Sequence, residues 1–238
     1  MSAYADQRVL VVGGTSGVGL ASAREFAAQG ADTVVVSRNP QRIEETVTAL
    51  SGLAGPVTGQ TLDIRSDDEV AKFAATAGEF DHVVVTAGET PMGRVDTLPL
   101  EAAYAAMDSK FWGAYRIARA VRPTRSLTLV SGYLSQRPGR ASALQSAINA
   151  ALEALVRGLA LEAAPLRVNA VSPGLLRTPL WDGLDAAARD TMYSSAVQRL
   201  PLGRVGEASD VAEAVLFLAG NGYATGTTVF VDGGGMIA

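Results

Sequence analysis

Seven short runs of apolar and β-branched residues recur along the chain: RVLVVG from Arg8, TVVVS from Thr33, VTGQTL from Val57, HVVVTAG from His82, SLTLVS from Ser126, RVNAVS from Arg167 and TTVFVD from Thr227. The intervening segments carry helical spacing, and this alternation predicts βαβ units around a parallel sheet. Punctuation fits the same plan. Asn39-Pro40 reads as a helix cap followed by a first-turn proline, Ser66 with Glu69 as a capping box, and Gly30 as the end of the first helix. Two longer helices are predicted, from about Pro99 to Val121 and from about Ser142 to Ala163. They follow the fourth and fifth strands, so their N-terminal halves border the crevice at the carboxyl ends of the strands. No internal repeat, low-complexity tract or long linker interrupts the pattern, and a single domain over residues 1–238 is expected.

Composition narrows the function classes. Hydrophobic residues make up 48%, charged residues 18% and aromatics 6%, a small-aliphatic chain suited to helices packed closely on a sheet. A net charge of −4 without basic runs argues against nucleic acid or an anionic membrane as partner. The N-terminus has no signal-peptide hydrophobic region, and no run approaches the roughly 18 apolar residues of a membrane span. The expected compartment is the cytoplasm. With no cysteine and one histidine, thiolate chemistry, disulfides and Cys- or His-rich metal sites are excluded, so no metal is expected.

After the first strand comes Gly13-Gly14-Thr15-Ser16-Gly17-Val18-Gly19, leading into the helical run Leu20 to Gln29. Glycines there allow a tight turn and close backbone approach to a pyrophosphate, while the helix N–H groups meet the phosphate charge. The spacing Gly-x-x-x-Gly-x-Gly resembles the dinucleotide fingerprint of the short-chain dehydrogenase/reductase family. Further matches follow in order: Leu62-Asp63-Ile64 on the adenine side, Thr86-Ala87-Gly88 after the fourth strand, Ser172-Pro173-Gly174 with Leu176 and Thr178 on the nicotinamide side, and Phe230 to Gly234 at the end. The resemblance implies an α/β Rossmann fold, a doubly wound seven-stranded parallel sheet with helices on both faces. It also implies a nicotinamide dinucleotide cofactor, a homo-oligomer (tetramer or dimer), and a substrate lid at about 175–202 in which Trp181 and Met192 are either apolar substrate contacts or lid packing. At the end of the second strand the chain has Ser37-Arg38-Asn39 in place of a ribose-binding carboxylate. A guanidinium suits a 2′-phosphate, and the cofactor is read as NADP(H). The rival reading is NAD(H), with Arg38 a solvated charge.

The family's proton-transfer pair is missing. Between Tyr133 and Tyr193 there is neither a tyrosine nor a lysine, and Tyr-x-x-x-Lys is therefore absent. Matching the helix to the family puts Gln145 at the tyrosine position, with Leu144 as a rival, and Asn149 at the lysine position. These amides sit on one helical face but do not exchange protons near neutral pH. Ser131 matches the serine that polarises the carbonyl, or else caps a strand end. Lys110 matches the family's asparagine and falls on the stripe Ala103, Met107, Lys110, Ala114, Ile117, Val121, where an ammonium needs a partner or a reduced pKa. Of 20 basic residues only Lys72 and Lys110 are lysine. Lys110 is thus the candidate substitute acid, against the alternative that it snorkels to solvent or pairs with Asp108. Tyr133 is read as shaping the substrate wall or serving as a phenolic acid, and His82 as structural.

Three functions are open to such a chain. The leading one is an atypical NADP(H)-dependent oxidoreductase for a small carbonyl or alcohol, with Ser131 holding the oxygen and Lys110 supplying the proton. The alternatives are a non-catalytic NADP(H)-binding protein, acting as sensor or partner subunit, and a non-redox lyase or isomerase on the same scaffold.

Overall fold

Each of the seven apolar runs forms a strand, and they pair in one all-parallel sheet. The computed structural model describes residues 3–238. The first half alternates strictly: β1 (Arg8–Val12), α1 (Gly17–Ala28), β2 (Asp32–Ser37), α2 (Pro40–Leu50), β3 (Val57–Thr61), α3 (Asp67–Thr76) and β4 (His82–Val85). The second half runs α4 (Leu100–Ala106), α5 (Gly113–Ala120), β5 (Ser126–Val130), α6 (Ala143–Glu162), β6 (Arg167–Pro173), β7 (Leu176–Arg177), α7 (Ala186–Arg199), β8 (Gly206–Glu207), α8 (Ala208–Gly220) and β9 (Thr228–Val231). The sheet order is β3-β2-β1-β4-β5-β6-β9, a Rossmann-like doubly wound domain. Successive strands are added in opposite directions from β1 and from β4, which opens the crevice at their carboxyl ends.

Strand alternation divides the core into two layers. Leu10, Val12, Val34, Val36, Val83, Val85, Leu127 and Leu129 pack with Phe73 of α3, Ile117 of α5 and Leu152 and Val156 of α6. Their neighbours Val9, Val11, Val35, Val84 and Val171 pack with Phe26 of α1, Leu50 of α2 and Val211 and Val215 of α8. A strand covered on both faces favours apolar residues at successive positions, which is why β1, β2 and β4 carry runs of valine and leucine.

Local punctuation is mostly as expected. Asn39 Oδ1 accepts from the Arg42 backbone N–H at 3.2 Å, and Gly30 closes α1 with φ +88. The capping box at Ser66 is a correction. Ser66 Oγ accepts from Glu69 N, but the Glu69 carboxylate turns to Asp63 N at 3.0 Å, so only half of the reciprocal pair forms.

The expected helix from Pro99 to Val121 is also interrupted. Between α4 and α5 the segment Met107–Trp112 is a π-helical turn, in which the Gly113 N–H reaches back five residues to the Asp108 carbonyl. The added residue rotates everything upstream relative to α5. Ala114, Ile117 and Val121 are buried, whereas Ala103, Met107 and Lys110 are half-buried. The pair β7–β8 was invisible to pattern reading because two-residue strands carry no period. Residues 175–202 contain β7, the turn Pro179–Trp181 and α7, where Trp181 and Met192 pack on a satellite cluster of Tyr193, Ala196 and Val205.

His82 sits at the start of β4, 1% exposed, its ring nitrogens 2.7 Å from Ser126 Oγ and from Gln7 Oε1. Burial disfavours the imidazolium and pushes its pKa from 6.5 down to about 4. As pH falls through 6.5 the unfolded chain takes this proton first, so stability declines until about pH 4 and then levels. The contribution is roughly 3 kcal/mol. Denaturant titrations from pH 7 to pH 4 should show that extra loss in the wild type and its absence in His82→Gln; equal slopes would contradict the assignment.

Candidate active site

A cavity of about 640 Å³ opens along the carboxyl ends of β1, β2, β4, β5 and β6. All sixteen residues expected to bind the dinucleotide line it, among them the glycine loop from Gly13 and the later residues Pro173, Leu176 and Thr178. The glycine loop is where sequence and geometry meet most closely. Gly13 has φ +86, and a Cβ there would lie 2.7 Å from Thr86 Oγ1 and 2.8 Å from Ala87 N. A Cβ on Gly19 would run into the Gly13 carbonyl oxygen. These contacts bring α1 onto the strand ends, and Thr86 Oγ1 donates to Val12 O at 3.0 Å to tie β4 to the same loop.

The start of α1 is open. Ser16 makes no side-chain cap, and the first turn carries no acidic residue, so N–H groups at this helix end face the cavity without a protein carboxylate. At the β2 end Arg38 lines the cavity and pairs with Glu89 across it. Arg42 and Arg65 line the same end and were missed by sequence reading. Asp63 is held by Arg65 at 2.6 Å, which draws the carboxyl below its usual pKa. Arginines four to five residues past a strand carry no motif of their own, and only the fold aims them at one place.

The catalytic candidates form a tight group, though not in the expected roles. Lys110 Nζ donates to Asn149 Oδ1 at 2.7 Å and to the Ser131 carbonyl at 3.0 Å. Removal of the amine from bulk water lowers its pKa from 10.5 to about 8, with the charge of Glu153 opposing the fall. Gly88 makes room for this side chain, because a Cβ there would come within 2.6 Å of Lys110 Cγ. Gly132 does the same for Asn149, with a Cβ 2.8 Å from Nδ2. Lys110 neither snorkels nor pairs with Asp108, whose carboxylate binds Arg116 at 2.8 Å.

Ser131 lies beside the group, but its hydroxyl is turned inward. It donates to Glu153 Oε1 at 2.9 Å, and the residue is 3% exposed. Ser131 also lines the cavity, so its hydroxyl combines a donor bond to the buried carboxylate with a place on the cavity wall. Asn149 is 4% exposed and lies behind Lys110 instead of at the cavity wall. Gln145 donates to Thr90 O at 2.7 Å, and its Oε1 has no partner among the described residues. Tyr133 starts a single 3-10 turn, Tyr133–Ser135, outside the cavity lining. Trp181 lines the cavity, its indole N–H donating to Leu176 O at 3.0 Å, whereas Met192 stays in the packing of its own segment.

Residues 12–235 match the family model described as Enoyl-(Acyl carrier protein) reductase. The chain belongs to the short-chain dehydrogenase/reductase family. It is 32% identical to a short-chain dehydrogenase/reductase of Stachybotrys chlorohalonatus, with 97% of each chain covered. A 3-oxoacyl-(acyl-carrier-protein) reductase of Thermotoga maritima is 30% identical, over 94% of this chain and 96% of that one. Among solved structures, a small-chain dehydrogenase in complex with NADPH superposes with a TM-score of 0.82 at 38% identity, covering 98% of this chain and 99% of the other. Within a short-chain dehydrogenase/reductase fold, then, a lysine from the π-helical turn and an asparagine from α6 meet beside the end of β5.

The lowered lysine pKa has a stability consequence. Between about pH 8 and 10.5 the unfolded chain keeps a proton that folded Lys110 has shed, so unfolding free energy rises with pH across this window. Below it the desolvation cost is present in full. Lys110→Met should flatten that rise in denaturant titrations while leaving stability at pH 7 equal or higher; a wild-type profile with no upward slope would contradict the burial of the amine.

Proposed function

We propose that this chain is an NADP(H)-dependent oxidoreductase acting on the carbonyl or alcohol group of a small molecule, with Lys110 as an atypical proton carrier in place of the missing Tyr-x-x-x-Lys pair. The observation that carries this reading is the Lys110 amine, desolvated at the wall of the cavity with two of its donor directions committed to Ser131 O and Asn149 Oδ1. A protonated amine has a third N–H, and the cavity is the remaining place for it.

The residues present fit the cofactor. The uncapped start of α1, with the glycine cradle in front of it, offers backbone N–H groups to a pyrophosphate. Arg38, with Arg42 and Arg65 at the same end, offers guanidinium groups to a ribose 2′-phosphate, which would take the place of Glu89 as the partner of Arg38. Ser37, whose Oγ accepts from Thr15 at 3.1 Å, borders the same end. The NADPH held by the solved relative supports the choice of NADP(H). When bound, the nicotinamide supplies or takes up the hydride.

Lys110 performs the acid–base half. In reduction its third N–H gives a proton to the oxygen of the carbonyl as that oxygen becomes an alkoxide, and in oxidation the neutral amine takes the hydroxyl proton. With its pKa near 8, the amine has both forms available around neutral pH, the condition for efficient general acid–base catalysis. Asn149 and the Ser131 carbonyl hold the nitrogen in place. Gln145 has no exchangeable proton to give and braces Thr90 at the cavity wall.

The placement of Ser131 favours a second reading, a binding protein without turnover, since its hydroxyl is committed to Glu153. One assay separates the two. Lys110→Met should lower kcat/KM for carbonyl reduction by about 10²- to 10⁴-fold with NADPH affinity unchanged. Tight NADPH binding without consumption over a carbonyl panel selects the binding protein, and product formed without any change in nicotinamide absorbance selects a lyase or isomerase. On the cofactor side, Arg38→Ser should weaken NADPH roughly ten- to hundredfold and leave NADH nearly unchanged, read by fluorescence titration; an equal effect on both would point to NAD(H).

A further inference from the structure

Glu153 lies one helical turn beyond Asn149 on α6, 3% exposed, among groups that sequence reading did not connect to the site. Its carboxylate takes three donors from one side of the protein. Oε1 accepts from Ser131 Oγ at 2.9 Å and Ser135 Oγ at 2.6 Å, and Oε2 accepts from Gln136 Nε2 at 3.2 Å. All three donors belong to the loop that follows β5. Among the described residues no arginine or lysine nitrogen is within ion-pair distance of it. A buried carboxylate held only by neutral donors is costly, and it is unusual unless its field acts on something nearby.

What it acts on is the amine. Ser131 presents two faces: its hydroxyl goes to Glu153, and its carbonyl oxygen takes Lys110 Nζ at 3.0 Å. The second acceptor of Lys110, Asn149, is four residues before Glu153 on the same helical face. Both anchors of the lysine are therefore set from α6, one directly and one through Glu153. The other charged groups around the amine are neutralised in pairs, Glu89 with Arg38 on the loop after β4 and Asp108 with Arg116 on the helix of Lys110 itself.

We propose that Glu153 is a positioning residue: it clamps the loop after β5 so that the Ser131 carbonyl meets the Lys110 amine, and it sets a carboxylate behind that contact. This inference rests on reading Lys110 as the proton carrier. It extends that reading to a residue that touches neither substrate nor cofactor and acts only through Ser131 and through its field. Burial alone drives the amine toward the neutral form, and the charge of Glu153 is the one that opposes it.

The chain's two lysines make the test direct. In a Lys72→Arg background the only side-chain ammonium signal after 15N-lysine labelling is that of Lys110, so its titration can be followed by NMR whether or not any substrate is known. Glu153→Gln, which keeps shape and removes charge, should lower the midpoint by about one unit, a tenfold smaller protonated fraction above it. Where turnover is measurable, the alkaline limb of the kcat/KM profile for reduction should move by the same amount. Glu153→Asp should keep the midpoint, because the charge remains, and lower kcat about tenfold with little change in KM, because the shorter side chain withdraws from Ser131. An unchanged midpoint in Glu153→Gln overturns the proposal. If Glu153→Gln proves too unstable to titrate, the aspartate variant decides alone: an unchanged kcat overturns the proposal, and the loss with a retained midpoint supports it. A shifted midpoint in a protein that turns over no carbonyl leaves Glu153 as the residue that tunes Lys110 and removes the oxidoreductase reading instead.

Discussion

One desolvated amine, held between a backbone carbonyl and a side-chain amide, is the constraint around which the site is built. Lys110 Nζ loses bulk water and gains Ser131 O and Asn149 Oδ1, and this exchange needs four separate elements to arrive within a few ångströms of each other. The π-helical turn delivers the lysine, the end of β5 delivers the carbonyl, α6 delivers the amide, and the turn after β4 stays clear of the stem because Gly88 has no side chain. The carbonyl and the Gly88 turn lie just past parallel strands, and the lysine and the amide come from the helices that pack over the same strand ends. The doubly wound topology gathers such points into one crevice, and the cofactor cradle on the first strand opens into the same space.

The charge arrangement follows from that burial. A lysine deprived of water shifts toward its neutral form, and the charge of Glu153 opposes that shift from behind the serine without a direct ion pair. The inward turn of the Ser131 hydroxyl, unexpected from the family pattern, is what connects the acid to the lysine.

Much of this molecule was legible in residue order. The seven strands, the Asn39 cap, the long α6 and the glycine loop could be read from local pattern and spacing, because strand burial and glycine turns leave their mark within a few residues of the chain, and family resemblance added the other residues assigned to the dinucleotide but not Arg42 and Arg65. The failures are equally local in cause. The π turn at Met107–Trp112 adds one residue without a proline or glycine to announce it, so a 3.6-residue stripe ran straight through it. Glu69 chose Asp63 N over the Ser66 backbone, a competition between two nearby donors that a motif does not weigh. Glu153 carried no signal in the sequence, and only the fold buries it.

The sequence by itself determined the fold class, the glycine cradle, and the negative fact that no tyrosine or lysine follows Tyr133 for sixty residues, since each depends on which residue types stand where. The tertiary structure decided which groups meet at the site. Lys110 and Asn149 are 39 residues apart, and Ser131 faces Glu153 across 22. Direction, burial and partner are properties of side chains brought together by crossovers of the sheet, and no periodicity within one helix contains them.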